Sequence, residues 1–195
     1  NLIKFDHNLS EYFYKRGCSA LADSKGDSII DGHFATNPLE NPLSNHLDSP
    51  LWHYACQVYS AEGVEAVLLA LQDDHGADIN LILQALWLAK GGRGWTKECI
   101  PADYVRWMET QVLPLRQIRR SMKTDWTGYE DFRQQVKKLE LKGEQYALAL
   151  LYLNTDESTT VSAAVNISLA EQNMRTLAEY LGIEDTLLQG IATYA

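Results

Sequence analysis

Eight consecutive residues, Asp73-Asp74-His75-Gly76-Ala77-Asp78-Ile79-Asn80, gather the densest set of chemically capable side chains in this sequence. Carboxylates beside an imidazole suit a divalent metal, and a histidine flanked by acids serves as a general base near neutral pH. A turn at Gly76 would bring Asp73, His75, Asp78 and Asn80 to one corner, with Gln84 one helical turn beyond Asn80 on the same face. The structural alternative is the preferred one. Asp78 would cap a helix, His75 would meet the last carbonyls of the helix before it, and Asn80 would bridge two helices, because buried polar groups are as a rule hydrogen-bonded. The pattern also departs from the Asp-rich helices that hold magnesium–diphosphate in all-α isoprenoid synthases. Its spacing is DDxxxD rather than DDxxD, Gly76 interrupts it, and no second Asp-rich helix accompanies it.

A second candidate is Arg116, Arg119, Arg120 and Lys123, whose i, i+3, i+4, i+7 spacing puts four cations on one helix face. Guanidinium forks match phosphates, so the stripe fits RNA, a nucleotide or a phosphorylated partner. The opposing reading is a solvated face paired with the acidic parts of the same chain, and it is favoured here because such partners are plentiful. Gly91-Gly92-Arg93-Gly94 follows a helical stretch rather than a strand and lacks the Lys-Ser/Thr of a phosphate loop, which leaves a helix–helix linker. Cys18, Cys56 and Cys99 are an odd number and widely spaced, so neither a disulfide framework nor a structural zinc site is expected. His53 and Cys56 share one helix at i, i+3, a poor geometry for a Cys–His nucleophile.

Helices must position these groups. Ser49-Pro50 is an N-cap followed by proline at the first helical position, and Leu51, Tyr54, Ala55 and Val58 make one apolar face after it. Ser60 is the expected cap of a second helix, with Val64, Val67, Leu68 and Leu71 inside and Gly76 as its stop. From Ile79 to Lys90 the chain is apolar nearly all round, apart from Asn80 and Gln84, which predicts a central buried helix. A long helix is expected over 101–122, bent or split by Pro114. Thr127-x-x-Glu130 and Ser168-x-x-Glu171 read as capping boxes for two more, the first running on past Gly143 and the second stopping at Gly182. A short helix over 184–192 would finish the chain. Residues 1–48 differ: only Ser10 to Arg16 reads as helix among many Gly, Pro, Asn, Asp and Ser, so an irregular N-terminal extension precedes a helical domain over 49–195. The fold class expected is all-α, an irregular bundle of about six or seven helices.

Ser49-Pro50-Leu51-Trp52, Gly63-Val64-Glu65, the run from Leu71 to Leu81, Trp87-Leu88-Ala89, and Leu113-Pro114-Leu115-Arg116 with Arg119-Arg120 together resemble a bacterial family. It is the family known as domain of unknown function 2390, found largely in proteobacteria. The resemblance covers roughly residues 49–123 and trails weakly into the helix after Thr127. It implies a small cytoplasmic helical protein and no particular reaction.

The chain's 195 residues are enough for one core of ordinary size without disulfide or metal. Its net charge of −9 disfavours bulk nucleic-acid binding, yet residues 103–142 hold nine basic against six acidic side chains and leave room for a local basic surface. No apolar run reaches the length of a membrane span, and the first residues lack the apolar core of a signal peptide, so a cytoplasmic location is expected. No complete catalytic constellation is visible. The function expected is therefore a non-enzymatic interaction or regulatory module with a protein partner, and a homodimer through an apolar helix face is compatible with it. The first alternative is a small-molecule or divalent-metal site at the Asp73–Asn80 corner. The second is an RNA- or nucleotide-associated factor using Arg116 to Lys123.

Overall fold

A computed structural model describes residues 43–155 and 167–194. Six helices of ten residues or more build the body: α1 (Pro50–Tyr59), α2 (Val64–His75), α3 (Ile79–Lys90), α5 (Leu113–Thr124), α6 (Glu130–Leu153) and α7 (Ile167–Leu181). Two shorter ones, α4 (Ala102–Trp107) and α8 (Thr186–Gln189), complete the order, and no strand occurs among the described residues. The fold is all-α, as expected. The helix expected over Ser10 to Arg16 lies outside the described residues. The residues just ahead of α1 pack on α6, where Gln145 Nε2 donates to the Leu47 carbonyl at 2.8 Å and the His46 ring lies 6.0 Å from that of Tyr152.

Local chemistry sets several boundaries as anticipated. The Ser49 hydroxyl accepts from the Trp52 N–H at the start of α1. Gly76, at φ 67, takes the left-handed turn that ends α2, and Gly182 does the same after α7 at φ 69. Three expectations are corrected. Ser60 closes α1 instead of opening α2, which starts behind the left-handed Gly63, and Val67 is 48% exposed because only the i, i+4, i+7 stripe of Val64, Leu68 and Leu71 faces inward. Tyr129, not Thr127, precedes α6, with no side-chain cap; Glu130 instead turns to Arg133. Ser168 already lies within the first turn of α7.

Pro114 leaves its mark one turn early. Residues Met108–Val112 form a π turn, in which the Leu113 N–H reaches back to Met108. A proline cannot bond the carbonyl four residues back and its ring crowds that carbonyl, so a widened preceding turn relieves both problems. The extra residue rotates the face of α5 by about 100° relative to α4, since each residue of a helix advances by that angle. The π turn is pressed against α6 at Gly143, where an added Cβ would stand 3.2 Å from Val112 Cγ2.

The core centres on α3. Every residue from Ile79 to Ala89 is buried except Trp87, which is partly so, and α3 meets α1, α6 and, most extensively, α7. Two buried amides hold the segment after α3 in place. Gln84 donates to the carbonyls of Cys99 at 3.1 Å and Leu151 at 3.5 Å, and accepts from the Trp95 indole at 3.1 Å. Asn173 of α7 donates to the carbonyls of Ala85 and Arg93 and accepts from the Trp95 N–H at 2.8 Å. The glycine-rich Gly91–Gly94 stretch is thus fastened on both sides, with the Arg93 guanidinium 4.6 Å above the Trp87 ring.

Candidate functional site

The two sequence candidates meet. Arg120 of α5 pairs with Asp73 of α2 across 47 residues of chain, and the space behind that pair is a cleft of about 460 Å³ between α2, α5 and α6. Tyr59, Leu69, Ile79 and Leu141 give it apolar walls, while Asp73, Asp74, Arg119, Arg120, Lys123, Lys137, Glu140 and Glu144 give it charged ones. Its size falls in the range of about 300–1,000 Å³ common for small-molecule sites.

The acidic corner itself does not converge. Asp73 turns into the cleft, whereas His75 is exposed on the last turn of α2 and is not among the lining residues. Asp78 caps α3 by accepting from the Asn80 N–H at 3.0 Å, and its other oxygen accepts from the Tyr104 hydroxyl at 2.7 Å. Asn80 is buried with its Nδ2 3.9 Å from Met108 Sδ, and Gln84 lies in the core network described above. Among the described residues no three His, Cys, Asp or Glu side chains come together as a metal site.

Asp78 offers a stability test. Burial raises its carboxyl pKa, against the opposing effect of the Tyr104 hydroxyl and the charge of Arg116. A folded carboxyl that binds its proton more tightly than the unfolded one loses relative stability as pH rises from the unfolded value, about 3.9, through the raised folded value. Asp78→Asn keeps a good cap and removes the charge, so it should match or exceed the parent's stability at pH 7 and lose that advantage near pH 4. Asp78→Ala, which also leaves Tyr104 without its acceptor, should cost about 1–3 kcal/mol. Urea melts of the three proteins at several pH values will decide. A pH-independent gap between parent and Asp78→Asn would count against a buried charge at this position.

The basic stripe divides by burial. Arg116, whose side chain is 10% exposed, bonds Glu140 at 3.1 Å and Glu144 at 2.6 Å, and Arg119 adds a second bond set to Glu140. Burial works against the charge of Arg116, but the two carboxylates outweigh it and hold its pKa above the ordinary value. The Glu144 carboxyl is raised, first by burial and then by neighbouring Glu140, with Arg116 opposing. Arg120 differs. Its side chain is 50% exposed, and Asp73's is 34% exposed, so their pair is worth only about 0–1 kcal/mol. Lys123 makes no ion pair with any described residue. The four cations therefore form two sets: a brace (buried Arg116 and partly buried Arg119) that joins α5 to α6, and an exchangeable rim (Arg120, Lys123).

Tyr59, Lys137, Glu140 and Glu144 belong to the cleft and were not singled out from the sequence. The signal available was the i, i+4 pair Glu140 and Glu144, which matches the Arg116–Arg119 spacing only once α5 and α6 are known to lie antiparallel side by side. Asn173 carried no signal at all beyond being a lone amide in an apolar stripe.

No helix among the described residues is long and apolar enough to cross a membrane. No curated protein and no solved structure matches the chain. One family model does, over residues 50–151, which takes in α1 to α5, all of α6 but its last two residues, and every wall of the cleft, and extends the resemblance seen over 49–123 through the brace carboxylates on α6. The chain belongs to the family described as protein of unknown function DUF2390.

Proposed function

We propose that this protein works by binding, and that the cleft between α2, α5 and α6 takes an organic anion with an apolar part. The observation that carries this is the contrast between the two kinds of ion pair at the site. The Arg116–Glu140–Glu144–Arg119 brace, buried at Arg116 and Glu140 and partly buried at Arg119 and Glu144, holds the walls, while the Arg120–Asp73 pair at the rim is more exposed and weak. An incoming anion can displace Asp73 from Arg120 at little cost, recruit Lys123, and lay its apolar part on Tyr59, Ile79 and Leu141. On this reading the ligand is small enough for the cleft, and binding rather than turnover is the output.

Removing the competing carboxylate tests the sign. A panel of phosphates, sugar phosphates, di- and tricarboxylates and nucleotides should contain at least one ligand that stabilises the protein, by roughly 2.7 kcal/mol at about 100 times its Kd. Asp73→Ala should tighten that ligand, because Arg120 is then unpaired, and Arg120→Ala should weaken it about tenfold or more. If Asp73→Ala weakens binding instead, or if only divalent cations shift the melting point of EDTA-treated protein, the corner is a cation site and the anion reading fails.

A further inference from the structure

The turn between α5 and α6 leaves two aromatic rings in water. Trp126 and Tyr129 are each 58% exposed and meet edge to face, with centroids 6.1 Å apart and planes at 80°. Large rings seldom stay so open in a chain that buries Trp52 and Trp95 well below a tenth exposed. They line a second cavity, of about 350 Å³, together with Met122, Lys123 and Arg133. Lys123 and Arg133 also line the first cleft, so the two spaces adjoin along these cations.

Resting on the anion-binding reading above, we infer that the ligand is a nucleotide whose phosphate sits at Lys123 between the two spaces and whose base turns to Trp126 rather than to the Tyr59, Ile79 and Leu141 walls. Every base offers a planar face to an aromatic side chain, and stacking of this kind tolerates differences among bases. A phosphate separated from a ring by a sugar matches a cation that lies beside the aromatic cavity. Glu130 is engaged by Arg133 at 2.9 and 3.0 Å, Asp73 is engaged by Arg120, and Lys123 has no carboxylate partner among the described residues. A purely aliphatic anion would use the rim cations and leave the aromatic pair idle. A nucleotide uses both.

Tryptophan fluorescence and melting temperature should be followed together while the full chain is titrated with ATP, UMP, ribose 5-phosphate and inorganic diphosphate. The nucleotides should quench fluorescence saturably, and ribose 5-phosphate should bind about tenfold or more weakly with no quenching. Trp126→Phe, with a smaller ring to stack on, should give a melting shift between those of the parent and Trp126→Ala, and should lose most of the quenching. Trp126→Ala and Lys123→Ala should each weaken binding about tenfold while remaining folded by circular dichroism, since both positions are exposed. If ribose 5-phosphate or diphosphate shifts melting as much as the nucleotides do, without quenching, the nucleotide assignment is overturned and the anion cleft stands. If nucleotides bind and Trp126→Ala binds them unchanged, the assignment is likewise overturned. If none of these anions, nor any of the wider panel, shifts the melting point, both fall. Saturable binding only by single-stranded RNA, with no mononucleotide response, would replace the small ligand by a polymer and also overturn the assignment.

Discussion

Gln84→Ala should cost about 3–5 kcal/mol, close to the whole stability of a marginal domain. Gln84 is fully buried, and its amide serves three partners from different parts of the chain: the Cys99 and Leu151 carbonyls and the Trp95 indole N–H. Truncation leaves the indole N–H and the Cys99 carbonyl without these bonds in the core, each at about 1–3 kcal/mol, and opens a cavity where the side chain was. Gln84→Leu separates the two contributions, since it refills most of the volume but restores no hydrogen bond, and it should recover only part of the loss. Urea unfolding gives the magnitude, and amide exchange at Trp95 gives the location. The Trp95 N–H, held by Asn173 at 2.8 Å, should exchange faster in both variants, because that loop is clamped by the two amides together. A loss below about 1 kcal/mol for Gln84→Ala would mean that water or a neighbour replaces these bonds and that the clamp is not cooperative.

Glu140→Ala should be nearly as damaging, at about 3–5 kcal/mol, for an electrostatic reason. Glu140 is 5% exposed and accepts from both Arg116 and Arg119, so its removal leaves two guanidiniums facing a space that holds only Glu144. Taking away one member of a buried charge set exposes the desolvation cost of the others. Replacing Arg116, Glu140 and Glu144 together by apolar residues of similar size should be far milder than the single substitution, because no charge is then stranded. Salt provides the control. Glu140→Ala should change little between low and high ionic strength, whereas any small effect of Asp73→Ala on stability should shrink in salt, as an exposed pair is screened and a buried one is not. Denaturant midpoints at two salt concentrations measure both. If the triple apolar variant is as unstable as Glu140→Ala, shape at the α5–α6 contact matters more there than charge.

These two substitutions also mark the border of what could be read in advance. Gln84 was identifiable as the second polar residue, with Asn80, on an otherwise apolar helix, and its burial followed from that helix being apolar on every side. Its partners were not identifiable, since Cys99 and Leu151 reach it through loops and a crossing helix 15 and 67 residues away. The Arg stripe was legible as a face but not as two functions. Arg116 and Arg120 are one helical turn apart, yet the first is buried against α6 and the second lies open to α2.

What the sequence determined by itself is local. The caps at Ser49 and Asp78, the left-handed stops at Gly76 and Gly182, and the all-round apolar α3 each depend on contacts within about a turn of helix or on composition alone. The tertiary structure decided where local signals tie. Glu130 had a capping role open to it and took Arg133 instead, and Ser60 had two helices to serve and closed the first. It also decided everything that depends on helix phase. The π turn before Pro114 rotates α5 so that Arg116 and Arg119 meet Glu140, while Arg120 swings to Asp73 and joins the acidic corner to the basic stripe. A one-residue change of phase moves a side chain by about 100° around the helix, and no pattern within α5 records that the turn ahead of it is wide.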